Sequence, residues 1–468
     1  MRYDYHILDE NEIMRIHELS LRVLSNLGMK VQDDNLCAIL ARKGLPVDGK
    51  QQLVRFPTDM VDAAIATAPK RFSMFDHKGN EFPIETGHEL PAVYSNALKI
   101  WDWQTGAVRS STSEDLVRCV RLAEAIPDVK INNPVCLPGD SAEADPVLRA
   151  ACIVLQHSTK MMGAAPHNLA EAVFWEEAEA IAQQDLPSSR GPSINYGISP
   201  DNPLQINATV SEILQYLAVR NCVLLISSCP IAGGTSPVTM AGTTVQTHAE
   251  FLGMLTIAQL LREGVPCIYG GSAGPMDLRA GQLCYGAPER NTMLCANIDI
   301  ARHFGLPHFS SAGSVDSALP DFQAGQSKAL AYLSRLMMGT SLGISFGCLL
   351  TGSTVAPEQI ILDVEAYRAA KAMLKGMTVD DDHLGYEAIR RVGPAGSFLE
   401  DEHTMSFMRS EYYLSNVINH DGERGKSMLD RAHDQVHEIL ERHQPTVSEK
   451  VQNDLDVFLG DYSRTVAG

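Results

Sequence analysis

Apolar positions along the chain change their period where its organisation changes. Residues 11–27 place Ile13, Ile16, Leu19, Val23, Leu24 and Leu27 at helical spacing and stop at Gly28, which predicts an amphipathic helix closed by glycine. Helices are predicted next over 33–43 and, after Pro57, over 58–68. The run RFSMFDHKGNEFPI alternates about Lys78-Gly79-Asn80, the pattern of a hairpin. From residue 92 onward short apolar runs alternate with helical stretches. Strands are predicted at 92–95, 129–134, 160–164, 193–196, 222–227, 265–269, 306–310 and 342–346, and helices at 113–125, 143–156, 169–183, 209–220, 244–262, 288–304, 321–338 and 357–374. Ser111 with Glu114, and Thr209 with Glu212, have capping-box spacing. Pro288 and Pro357 stand at first helical positions. Strand–helix pairs repeated over about 280 residues predict a (β/α)8 TIM barrel, although a doubly wound sheet would show the same alternation. The first unit carries an extra predicted hairpin, IWDWQTGAVR.

The expected organisation is therefore a helical and hairpin flank over 1–90, the α/β barrel over 91–375 and a helical extension over 376–468. The extension has an amphipathic helix at 426–442 and a last one with Thr446 and Glu449 at capping spacing. It is expected to pack on the outside of the barrel or on a second subunit, so a homo-oligomer is expected.

Composition narrows the partners. The 468 residues are 45% hydrophobic and 20% charged, with a formal net charge of −19. Such a charge disfavours nucleic acid or an anionic membrane as the main partner. The first residues, MRYDYHILDENE, lack the basic and apolar pattern of an export signal, and no uncharged apolar run approaches the ~18 residues of a membrane span. The ten cysteines stand singly, with no C-x-x-C pair, as in a reducing compartment. A cytoplasmic location is expected.

The stretch from Ile268 to Gln326 holds two glycine-rich loops after apolar runs and carries Tyr269, Asp277, Arg279, Glu289 and Asp316. In a barrel of this kind the active site lies at the C-terminal ends of the strands. Those ends are rich in rings and neutral amides (Tyr94, Asn96, Asn195, Tyr196, Tyr269, Phe346) and poor in clustered charge. Resident zinc or iron wants convergent histidines and carboxylates, yet only His167 is near a strand end, so no metal is expected. Lys160 starts its strand and Lys328 lies within a helix, which disfavours a Schiff base. His433 and His437 have metal spacing but read as a solvated helix face. A neutral, aromatic cup suits a quaternary ammonium ion, at ~0.5–2 kcal/mol per good ring contact. Packing inside the barrel would use the same rings.

The segments NATVSEILQYLAVRN, CPIAGGTSPVTMAGTTVQTHAEFL, PCIYGG, DLRAGQLCYGAPERN, RHFGLPHF, AGSVDSALPDFQAGQ and RRVGPAGSFLEDEHT resemble the trimethylamine methyltransferase family nearly from end to end. The resemblance implies a (β/α)8 barrel that moves a methyl group from an amine to the cobalt of a corrinoid (cobalamin-type) group on a separate protein, with no cofactor tightly bound. Founding members carry pyrrolysine, placed near the AGSVDSALPD loop; this sequence has none. Members lacking it resemble demethylases of quaternary amines, glycine betaine foremost, with proline betaine, carnitine and butyrobetaine as others. This chain departs at Gly286–Glu289, where the family often has serine second, and at GPAGSF, where it often has GPGGHF; both leave the substrate open.

On this reading Tyr94, Tyr196, Tyr269 and Phe346 are expected to wall an ammonium cage, with Asn96, Asn195 and Gln323 fixing rotamers. Glu289 and Asp316 would add charge attraction, or serve as loop and helix caps. No side chain is expected to act as nucleophile. A betaine carboxylate would be anchored by Arg279, His167 or the backbone near Gly313. A barrel that binds betaine or docks a corrinoid protein without catalysis, and a metal-dependent hydrolase, are the competing expectations.

Overall fold

Every predicted strand–helix unit is present in the computed structural model, which describes residues 5–140, 145–186, 191–419 and 425–467. The strands are β1 Ala92–Val93, β2 Ile131–Asn132, β3 Met162–Ala164, β4 Ile194–Ile198, β5 Val223–Ser228, β6 Cys267–Gly271, β7 His308–Ala312 and β8 Leu342–Phe346. Helices α1 Ser113–Ala125, α2 Pro146–His157, α3 Leu169–Ala182, α4 Ala208–Val219, α5 Met240–Leu261, α6 Pro288–His303, α7 Phe322–Met338 and α8 Pro357–Lys375 follow them in turn. The predicted start of the second helix at Glu143 lies outside the described residues. All neighbouring strands pair in parallel from β3 through β8 to β1 and β2. A parallel bridge from Ile131 to Met161 closes the ring. The fold is a (β/α)8 barrel.

The helix caps differ from expectation by one or two residues. Thr112 and Asp115 form the capping box of α1, because Ser111 is used elsewhere: its hydroxyl donates to the Leu137 carbonyl at 2.7 Å. Asn207 caps α4 by accepting from the Val210 N–H, which leaves Thr209 inside the helix. The last helix is capped by Ser448, whose hydroxyl accepts from Val451 at 3.4 Å.

Alternation along each strand sends successive side chains to the lumen and to the helical layer. Ala92, Ile131, Met161, Val223, Ile268 and Leu342 point inward and form one apolar cluster with Met74, Ile84 and Leu90. The last three belong to or follow the hairpin Phe72–Phe75 and Glu81–Ile84, which pairs antiparallel as predicted. The hairpin thus plugs the N-terminal end of the barrel. Residues of opposite parity, such as Val93, Met162, Leu224 and Cys267, belong to the larger core between sheet and helices. Ile344 joins them because β8 shifts register against β7 at Gly343, φ +106°, which turns the residues after it outward.

The flanks brace the outside. The helices Glu10–Arg22 and Thr58–Thr67 pack on α5, and the C-terminal helices Met428–Arg442 and Glu449–Ala467 pack on α8 and α2 respectively. His433 is not on a solvated face. It pairs with Glu358 at 2.8 Å and stacks on Trp103 with ring centres 3.7 Å apart. Between α7 and α8, Lys328 and Asp363 form a buried ion pair at 2.5 Å. Asp363 also accepts from the Gly347 N–H and from Gln359, each at 2.7 Å, which ties α8 to the end of β8.

Candidate functional site

At the C-terminal end the lumen changes character. The inward positions above the apolar floor are Asn133, Gly163, Asn195, Gly197, Ser227 and Gly270. Asn133 accepts from the Gly163 N–H at 2.5 Å, and Asn195 donates to the Met162 carbonyl at 3.3 Å. A Cβ at Gly163 would lie 3.3 Å from Asn133 Oδ1 and 3.4 Å from Asn195 Oδ1, and one at Gly270 would lie 2.8 Å from Ser227 Cβ. Glycine here keeps space that any larger residue would fill. Gly163, Gly197, Ser227, Cys229 and Ser311 are partly exposed while the residues between them are buried. The inner face of the mouth is therefore open to solvent, down to Leu225 and Phe309 on the floor. Its lining is small, neutral and hydrogen-bonded.

Two rings stand at the rim. Tyr94 continues the inward parity of β1 and is 43% exposed. Burial pushes its phenol up, with the Cys348 thiol adding to the shift. Tyr285, on the loop before α6, is partly exposed, and burial raises it as well. Asp316 holds this loop: its two oxygens accept from the Tyr285 N–H at 2.9 Å and the Gly286 N–H at 2.8 Å. Asp316→Asn replaces one acceptor by a donor facing an N–H, at a cost of about 1–3 kcal/mol in local closing energy. Hydrogen exchange at the Tyr285 and Gly286 amides should then speed up by roughly 5- to 150-fold; unchanged protection there would mean the carboxylate does not hold the loop.

Three of the four rings expected in the cage face away from the lumen. Tyr269 packs on Phe251 with centroids 4.1 Å apart and meets His248 at 3.1 Å, both on α5. Phe346 lies against Tyr332 and Tyr367, on α7 and α8, at 5.8 and 5.6 Å. Tyr196 is 1% exposed within the core between sheet and helices, and burial drives its phenol well up. Tyr269 and Tyr196 sit on the outward parity of their strands, and Phe346 is turned outward by the register shift at Gly343, so each is packing, not pocket.

The remaining candidates separate. Asn96 is at the mouth in the left-handed region, φ +56°. Asn195 belongs to the amide layer just described. Gly313, at φ +109°, brings β7 against β8 so closely that a Cβ would lie 2.0 Å from the Ser345 carbonyl oxygen. Arg279 is 96% exposed and pairs with Asp277 at 3.6 Å on the ribbon Gly274–Asp277 and Gln282–Leu283, too far out to anchor a substrate. His167 is 65% exposed and tied to Glu171 at 3.1 Å on the first turn of α3. Glu289 and Gln323 are exposed on the first turns of α6 and α7, where a carboxylate favours the helix start.

The sequence reading passed over Arg290. It is 2% exposed near the start of α6, and its guanidinium carbon lies 4.9 Å from the centre of the Tyr285 ring. Burial and the neighbouring Arg335 lower its pKa to about 10 against the opposing pull of Cys229, Tyr285 and Asp316. Among the described residues no group of three or more His, Cys, Asp or Glu side chains could hold a metal ion, and no helix is long and apolar enough to cross a membrane.

Residues 2–465 match the family described as Trimethylamine methyltransferase (MTTB). Among characterised relatives, the chain is 27% identical over 445 residues to trimethylamine methyltransferase MttB of Desulfitobacterium hafniense strain DSM 10664 / DCB-2, covering 93% of this chain and 89% of that one. It is 25% identical over 480 residues to the glycine betaine methyltransferase of Desulfitobacterium hafniense strain Y51, covering 99% and 98%. Among solved structures, the hydroxylamine MtmB complex superposes with a TM-score of 0.50 at 13% identity over 92% of each chain, a likeness of fold.

Proposed function

The chain belongs to the trimethylamine methyltransferase family, and from that premise we propose that it takes a methyl group from a quaternary amine of the betaine class and delivers it to a corrinoid on a partner protein. The observation that carries this reading is the mouth itself: open, its inner face lined by glycine, serine and amides, with ring faces at Tyr94 and Tyr285. A quaternary nitrogen cannot donate hydrogen bonds, so ring faces and close-fitting small residues are what hold it. Its amine leaves without protonation, so no general acid is required of the protein.

The corrinoid, when bound on its carrier, supplies the nucleophilic cobalt. This chain's residues then bind the donor, direct one N-methyl outward and exclude water. The rim suits a macromolecular acceptor. Exposed apolar side chains at Leu98, Val238, Leu278, Leu319 and Phe322 stand on segments that follow β1, β5, β6 and β7, around the opening. The relative named glycine betaine methyltransferase, matched along 99% of this chain, supports the substrate class.

The test is transfer from a panel of quaternary amines to Co(I) corrinoid protein, followed by loss of the Co(I) absorbance. Turnover with a betaine is expected. Heat of betaine binding with no cobalt signal would mark a binding protein instead, and neither signal would sink the reading.

A further inference from the structure

We propose that Arg290 is the carboxylate anchor of the donor pocket, so that the methyl donor must carry an anionic group as well as its quaternary nitrogen. The inference rests on the betaine reading and deepens it. Arg290 is buried with Nε and Nη2 lacking any hydrogen-bond partner among the described residues, and it forms no ion pair among them. A guanidinium stripped of water normally has its forked donors filled by carboxylate or carbonyl oxygens. Here that partner is missing at the wall of a solvent-open mouth.

The geometry directs the group toward the donor. The helix that carries Arg290 starts at the mouth end of β6, and the ribbon after β6 crosses its side chain at Gly274. A Cβ there would lie 3.0 Å from Arg290 Cδ, 3.2 Å from its Cγ and 2.7 Å from Leu283 Cδ1. Glycine at 274 clears the path. Beyond it the guanidinium reaches the Tyr285 ring, 4.9 Å from its centre, and the surroundings of Cys229 at the end of β5 and of Asp316. Asp316 attracts it from nearby but forms no ion pair with it among the described residues; its oxygens accept from the Tyr285 and Gly286 N–H groups. Arg335 is fully buried and both its Nη groups are engaged with Asn291, Ser311, Ser334 and Cys295, which leaves only its Nε without a partner, whereas Arg290 has Nε and Nη2.

Selectivity follows from charge. An unpaired cation at the wall repels a bare ammonium ion and attracts one that carries a carboxylate. Choline, similar in shape to glycine betaine, has a hydroxyl in place of that carboxylate.

Binding of glycine betaine, its methyl ester and choline to the unaltered protein, by titration calorimetry, tests the anchor without touching the fold. Loss of one charge-assisted bidentate contact should weaken the ester and choline by roughly 10- to 100-fold relative to betaine. R290Q should bring betaine down to the level of the ester and leave the ester nearly unchanged, while R290K recovers part of the difference. Betaine and ester bound equally by the unaltered protein, or betaine bound by folded R290Q as by the parent, would overturn the anchor and leave the quaternary-amine reading standing. Binding of none of the three, and of none of proline betaine, carnitine and butyrobetaine, by the unaltered protein would sink that reading and the anchor with it.

Discussion

Lys328→Met should lower the unfolding free energy by about 3–5 kcal/mol, the cost of leaving a buried charge without its partner. Lys328 and Asp363 are each 1% exposed and 2.5 Å apart, so no water is available to replace the ammonium group. Asp363 would retain the Gly347 N–H and Gln359 as donors, which soften the loss without supplying a charge. Burial already pushes the Asp363 carboxyl up, with Lys328 as the strongest opposing influence. In the variant that opposition is gone and the folded-state pKa rises further above the unfolded value. A carboxyl raised in the folded state is bound to a proton more often folded than unfolded, so its stability contribution is lost as pH rises through about 4 and beyond. The deficit of the variant should therefore be smallest near pH 4 and grow toward pH 7. Adding Asp363→Asn should recover much of it, since a neutral amide removes the unpaired charge while its oxygen can still accept from the Gly347 N–H. Urea denaturation of the three proteins at the two pH values checks all of this. A deficit under about 1 kcal/mol at pH 7 would show that the pair is hydrated.

Lys328 also shows what the sequence could and could not say. Its place within a helix was legible from periodicity, and so was every strand–helix unit, because glycine and proline punctuate a regular alternation of apolar runs. The face of each strand was not legible. A parallel strand buried on both sides is apolar at every position, so CIYGG or LGISF does not announce which side chain points inward. A shift of one residue exchanges lumen for helical layer: Tyr269 and Tyr196 fell on the outward parity, Tyr94 on the inward one, and Phe346 was turned outward by a register shift at Gly343. Arg290 was hidden for a different reason. Two residues after Pro288 and beside Glu289, it reads as a charged residue on a solvated first turn. Only the ribbon folding back over Gly274 makes it buried. The adjacent glycines of the GGSAG run, which let that ribbon approach, are the one sequence signal that pointed there.

Phe346→Ala and Tyr94→Ala should separate cleanly into a stability effect and a binding effect. Phe346 is fully buried between β8 and the two helices that carry Tyr332 and Tyr367. Its truncation leaves a cavity that Lys328, Asp363 and the closely packed Gly347 cannot collapse to fill, at a cost of about 3–5 kcal/mol. A Cβ at Gly347 would already lie 2.7 Å from Ile360 Cγ1, so the backbone there is pinned from both sides. Because the ring faces away from the lumen, betaine affinity of the folded variant should stay within about twofold, as expected of a residue that makes no contact with the ligand. Tyr94 inverts the pattern. At 43% exposure it contributes little packing, so removing it should shift stability by no more than about 0.5 kcal/mol. Loss of one ring face from a quaternary ammonium site is worth about 0.5–2 kcal/mol, or roughly 2- to 30-fold in affinity. Thermal denaturation and betaine titration on the two variants give four numbers, and their crossing is the expected result. If Phe346→Ala weakened betaine binding more than Tyr94→Ala at equal folding, the ligand would have to lie behind β8, among the helices, and the barrel mouth would not be the site.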